Sequence, residues 1–205
     1  MEIRLNIKTK FYMQLILGLA FGFLNYGAKM LQGFNPIPLY MDTLFTVTAS
    51  FFGLFCGLVS GTIYHLTSLF LMHQTVENFT WVLCSYTLVL IIRLYTRRKE
   101  VLSLVDVVIL FFMAALIISF EGAIIFVSLK TLANYREDSQ VRNMYLMLSR
   151  GNIPVFVSAL LPRVPMNLLD KAISVSLGAL LYGVFQKNCP YMKKACEPKQ
   201  TNEEA

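Results

Sequence analysis

Charged residues are scarce in this chain. They make up 15% of its 205 residues, against roughly 25% in ordinary soluble domains. With 56% hydrophobic residues and a mean hydropathy of +0.59, a soluble globular fold is excluded and an integral membrane protein is indicated. Histidine is almost missing, at two residues, and there is no G-x-x-x-x-G-K phosphate loop and no nucleophile elbow. An enzyme reading would therefore rest on isolated acids such as Asp106 and Glu121, and none is adopted. Of the four cysteines, Cys56 and Cys84 lie inside apolar stretches, while Cys189 and Cys196 match no zinc spacing, so neither a metal nor a cofactor is expected. The net charge of +6 does not point to nucleic acid. Its basic residues fall in short clusters beside apolar spans, where they set topology and touch anionic lipid headgroups.

What the chain has in abundance is apolar sequence, almost end to end. A spanning helix needs about 20 such residues. Stretches of that kind run from about Phe11 to Leu31, Leu39 to Met72, Phe79 to Tyr95, Val105 to Leu129 and Asn167 to Phe185. The second, about 34 residues long, exceeds one helix and fits two hinged near Gly53. The expected fold is therefore all-α: an integral membrane bundle of six transmembrane helices in one domain over residues 1–205, with a short cytoplasmic tail from residue 187. With six spans, the Arg4/Lys8/Lys10 start, the Arg93/Arg97/Arg98/Lys99 turn and the tail share one side, the cytoplasm of a bacterial inner membrane. The connection from Lys130 to Pro154 then lies outside. Val141, Met144, Tyr145 and Leu148 repeat there at helical spacing, predicting a short helix at the headgroup level or over an outward-facing pocket.

Polar groups inside apolar spans are the candidates for function, because a charge near the bilayer centre costs roughly 2.5 to 3.5 kcal/mol on insertion scales and must pair or serve a ligand. On the last span Asn167, Lys171 and Ser174 repeat at i, i+4 and i+7, an amide, an ammonium and a hydroxyl in line, with Asp170 beside the lysine. Glu121 lies deep in its span and needs a partner from another helix, with Lys171 and Arg163 nearest by depth. Asp42 either caps a helix start or contacts substrate. Tyr64, Trp81 and Tyr86 offer faces for a planar ring, or interface anchors. Gly53, Gly57 and Gly61 form one ladder of close-approach positions and Gly18 and Gly22 a second, serving packing within the chain or docking on a separate subunit.

Three stretches together resemble a known family. Asn35-Pro-Ile-Pro-Leu-Tyr-Met-Asp42, the Gly53/Gly57/Gly61 ladder, and Leu161-Pro-Arg-Val-Pro-Met-Asn-Leu-Leu-Asp-Lys-Ala-Ile-Ser174 resemble the substrate-binding S components of energy-coupling factor (ECF) vitamin transporters. The resemblance spans nearly the whole chain. It implies a high-affinity membrane subunit for vitamin uptake, energised by a separate scaffold subunit and ATPases, with Asn167 and Lys171 reaching the vitamin. By the same resemblance, Gly18 and Gly22 stand where the first helix would dock on the scaffold. The family's alanine-rich version of that stripe is absent. Related sensor modules of bacterial signalling proteins share the Pro-x-x-x-x-Asp and ladder features, but the chain ends about 20 residues after its last span, an ending that suits a stand-alone S component. The ligand is not legible. Lys171 and Arg163 favour acidic or carbonyl groups and the aromatics a planar ring, which a flavin and several other vitamins combine.

Overall fold

The structure, a computed structural model, describes residues 3–4, 11–31, 40–99, 101–135 and 141–188. Residues 35–39 of the first motif, Lys8, Lys10, Arg136, Glu137 and Asp138, and Cys189 and Cys196 lie outside the described residues. The elements are α1 (Phe11–Leu31), α2 (Leu44–Phe52), α3 (Leu54–Leu71), a 3-10 helix (Val76–Trp81), α4 (Val82–Thr96), α5 (Leu104–Ala133), α6 (Val141–Arg150) and α7 (Val155–Asn188). Two short strands, β1 (Ile3–Arg4) and β2 (Val101–Leu102), pair antiparallel. The fold is an all-α membrane bundle.

Five described segments are long and apolar enough to cross a membrane: α1, α3, Val76–Thr96, α5 and α7. Their outward faces carry large apolar side chains such as Phe23 and Leu24 on α1 and Phe112, Leu116 and Phe120 on α5, which suits a lipid surface. At nine residues, α2 does not reach spanning length, so helix length alone does not give the expected count of six. The break predicted near Gly53 is present, and the chain reverses there. Thr46 Oγ1 lies 3.2 Å from Ser60 Oγ, and a Cβ at Gly57 would lie 2.7 Å from Ser50 Oγ, so α2 and α3 run antiparallel.

The close approaches explain the glycines. A Cβ on Gly57 would also sit 2.8 Å from Val89 Cγ1 of α4, and one on Gly61 would sit 3.1 Å from Ser85 Cβ. Gly57 and Gly61 thus form the seam joining α3 to α2 and α4, whereas Gly53 at the hinge faces Gln14 of α1. Gly57→Leu is expected to cost about 1–3 kcal/mol by overpacking, while Leu58→Val stays near neutral. Melting temperatures in detergent test this, and equal values would show that the ladder can yield. On α1, a Cβ at Gly18 would lie 2.8 Å from the Cys56 carbonyl oxygen, and one at Gly22 would lie 2.7 Å from Ile63 Cβ. Both glycines are buried against α3, which corrects the docking role expected for them: that stripe is already occupied from within the chain.

Asn25 ties α1 to α2. Its Oδ1 accepts from the Phe45 amide at 2.7 Å and its Nδ2 donates to Thr46 Oγ1, satisfying a free donor in the first turn of α2. Asp106 is likewise structural. It closes a capping box with Ser103 at the start of α5, and it pairs with Lys99, whose ammonium the carboxylate holds above its usual range.

The last helix departs most from expectation. It starts at Val155 rather than Asn167 and runs through Pro162 and Pro165 for 34 residues. Each proline removes one donor from the ladder, but neighbouring polar groups engage the backbone of that stretch. Arg163 Nη1 donates to the Ala159 carbonyl at 2.7 Å, and Ser119 Oγ of α5 lies 3.2 Å from the Arg163 carbonyl oxygen. The expected surface helix is α6, seated by Val141 and Tyr145; Met144, expected on that face, is exposed.

Candidate functional site

A cavity of about 780 Å³ lies between α3, α4, α5 and α7, at the end of the bundle that holds the 72–81 and 133–135 segments. Its walls take Tyr64 and His65 from α3, Cys84, Ser85 and Leu88 from α4, Ile118 and Gly122 from α5, and Arg163, Asn167 and Lys171 from α7. Residues 40, 42 and 43, Trp81 and the polar turn from His73 to Asn78 complete it. The size suits a small-molecule site, for which about 300–1,000 Å³ is usual.

Along α7, Arg163, Asn167 and Lys171 follow at intervals of four and so line one wall, all of them 2–4% exposed. Arg163 lies between two rings, with its guanidinium carbon 4.8 Å from the Phe126 centroid and 5.8 Å from that of Trp81. Such desolvated cation–π contacts hold the plane of the head group. Gly122 leaves the room: a Cβ there would stand 3.4 Å from Trp81 and 3.5 Å from Arg163 Cδ, in contact with both. Asn167 Nδ2 donates to Ser119 Oγ at 3.0 Å, which holds the amide against α5 at the cavity wall.

Lys171 is held by its neighbour in sequence. Its ammonium donates to Asp170 Oδ2 at 2.6 Å and to Thr43 Oγ1 at 3.0 Å, which among the described residues uses two of its three donors. Asp170 Oδ1 in turn accepts from the Met41 amide at 3.0 Å. The pair therefore pins the segment before α2 onto α7. That contact sets Asp42, which lines the cavity one residue before the N-cap; the N-cap is Thr43, so the capping role weighed for Asp42 is not the one it has.

Six of the eight expected site residues meet at this cavity: Asn167, Lys171, Arg163, Asp42, Tyr64 and Trp81. Ser174 stands behind it, 3.4 Å from Thr43 Oγ1. Glu121 is elsewhere. It faces a groove between α4 and α5, where Thr87 Oγ1 donates to its Oε1 at 3.0 Å, so the pairing expected with Lys171 or Arg163 does not form. Tyr86 is also away from the cavity, bonded to Thr62 at 2.7 Å. His65 has the packing role, with Nε2 2.9 Å from Ser85 Oγ, while its ring still borders the cavity.

Sequence reasoning missed the mouth. Lys29 from the last turn of α1, Glu77 and Asn78 from the 3-10 helix, and Gln74, Asn134 and Tyr135 from the connections reach the cavity, and Tyr135 donates across it to Asn78 Oδ1. The clue was the density of polar residues in the His73–Asn78 turn, read only for topology. No family model, curated protein or solved structure matches the chain. A functional reading therefore rests on the chemistry of the site.

Proposed function

We propose that the chain is the substrate-binding membrane subunit of an uptake system for a vitamin-like small molecule, of the ECF S-component type, energised by separate scaffold and ATPase subunits. The observation that carries this reading is the cavity: aromatic faces, an arginine, a lysine and an amide converge on one buried space within the bundle. A planar ligand with acidic or carbonyl groups, a flavin among the candidates, matches that lining. The chain acts here by binding alone, and the energy for release comes from its partners.

The geometry of the ends supports the topology this function needs. The cavity lies at the end opposite Arg97, Arg98 and Lys99, and basic residues favour the cytoplasmic side. In a bacterial inner membrane the site would then open outward, with both termini in the cytoplasm. With the chain reversing at Gly53, α2 extended by residues 40–43 would serve as the second of six crossings. Non-helical backbone at membrane depth is tolerated where it is buried in protein, as Thr43 is against α7. In a cysteine-free background, Thr75→Cys is expected to react with an impermeant reagent in intact cells, and Arg98→Cys only after permeabilisation. The opposite pattern would overturn this topology.

Mass spectrometry of small molecules retained by the purified protein tests the function. One planar, carbonyl- or carboxyl-bearing compound at near-stoichiometric amount is expected, and it should be lost when Trp81→Ala opens the wall. Finding only lipid and detergent, unchanged by Trp81→Ala, would sink the proposal.

A further inference from the structure

Glu121 is a carboxyl group without an evident task. It is the eighteenth residue of α5, so at 1.5 Å per residue it stands about 26 Å along a helix of about 45 Å, at mid-membrane depth. It does not border the ligand cavity. It borders a second space of about 570 Å³ between α4 and α5, whose other walls are Leu83, Thr87, Leu116, Ile117, Phe120, Ile124 and Ile125. Five of these, Leu83, Leu116, Ile117, Phe120 and Ile124, are among the exposed large hydrophobics, so the groove opens to the lipid side. One carboxyl oxygen is used, accepting from Thr87. The other, Oε2, is buried without a hydrogen-bond partner among the described residues. An ionisable group in such a place is costly unless something pairs with it.

We infer that the α4–α5 groove is a docking face for a membrane-spanning helix of a partner protein, and that this helix brings a hydrogen-bond donor, of the lysine, arginine, amide or hydroxyl type, to the Glu121 carboxyl. The inference is independent of what the main cavity holds. Chemistry selects the occupant. A lipid headgroup stays at the interface and does not deliver a donor to this depth. A second copy docked on the same face by a two-fold axis would set Glu121 against Glu121, two carboxylates that repel and could bond only after taking up a proton; Thr87, whose single hydroxyl hydrogen already goes to Glu121, adds no donor. A helix from another protein supplies what is missing. Rotation about the last bond of the glutamate, which is soft, turns Oε2 from beneath the apolar walls toward the incoming side chain. The Gly18/Gly22 stripe is not available for such a contact, because α3 occupies it.

The test places a photo-crosslinking benzoylphenylalanine at Phe120 in the groove, and as a control at Leu177 on the exposed side of α7, in the full chain in native-host membranes. The expected result is one protein adduct at position 120 and not at 177, mapping to a spanning helix with a donor side chain within a turn of the crosslink. Glu121→Leu should lower its yield about three- to thirtyfold, the range of one interhelical hydrogen bond. Glu121→Gln, which keeps an acceptor oxygen and the side-chain shape, should lower it less. Alanine at the partner's donor should match Glu121→Leu. Melting temperature and retention of the cavity's small molecule should stay at parental values in Glu121→Gln, which separates loss of docking from loss of fold or of ligand binding. Adducts only with lipid, only with a second copy, or equally at both positions would overturn the inference, as would a yield indifferent to both Glu121 variants.

Discussion

Lys171→Ala is expected to lose stability and ligand binding together. Its ammonium and the Asp170 carboxylate are each about 2% exposed and 2.6 Å apart, so removing the lysine leaves a buried carboxylate with the Met41 amide at 3.0 Å as its main partner. Stranding one member of such a pair costs about 3 to 5 kcal/mol. The segment before α2 loses its lysine anchor at Thr43 as well, and Asp42 is released from the cavity wall. Combining Asp170→Asn with Lys171→Met separates the two losses. The introduced amide oxygen still accepts from the Met41 amide and the thioether stem still fills the space, so no charge is stranded and most of the stability should return. Ligand affinity should stay about ten- to a hundredfold below the parent, the value of one charge-assisted hydrogen bond of roughly 1.5 to 3 kcal/mol. Melting temperature and ligand retention measured on both proteins decide the matter. A Lys171→Ala protein as stable as the parent would show that the pair is dispensable, and a double variant that binds normally would remove Lys171 from the site.

How much of this was legible follows from the solvent. A bilayer demands long apolar runs, so Phe11–Leu31 could be read with both ends correct, and the Gly53 hinge followed from a run too long for one helix. The Asn167/Lys171 face was legible because α7 carries its polar groups on a side that cannot be lipid. What was not legible is orientation where both sides are apolar. Along α5, Leu110 and Ala114 are fully buried while Leu116 and Phe120 are exposed, yet lipid and core ask for the same residue types. Nothing in the sequence near Glu121 therefore says that it points away from the cavity while Gly122 points toward it. The glycine stripe of α1 shows the same limit: its spacing announces a close approach, but the partner turned out to be α3. The start of α7 was misplaced for a different reason. The helix runs through the prolines at 162 and 165, and its backbone there is engaged by Ser119 of α5 and by the Arg163 side chain.

Arg163→Lys isolates the recognition chemistry from the fold. The substitution keeps a positive charge and most of the stem but replaces a planar fork by a compact ammonium. In the parent the guanidinium is fixed between Phe126 and Trp81 and tied to the Ala159 carbonyl, so its orientation toward the cavity is set before any ligand arrives. A lysine retains the attraction to both rings in weaker form, and stability should fall only modestly, by about 1 to 2 kcal/mol for the lost stacking. Binding should fall further, roughly ten- to a hundredfold, if a carboxylate or carbonyl of the ligand meets the fork in two places. Arg163→Ala is the harsher variant. It empties the largest fully buried side chain among the described residues and should add a cavity cost of about 2 to 5 kcal/mol. Phe126 also meets Tyr145 of α6, with ring centroids 4.9 Å apart, so loosening Arg163 should raise hydrogen exchange in α6 as well. If Arg163→Lys retained the ligand at parental strength while Arg163→Ala merely unfolded, the arginine would be a packing element, and recognition would rest on Asn167 and Lys171.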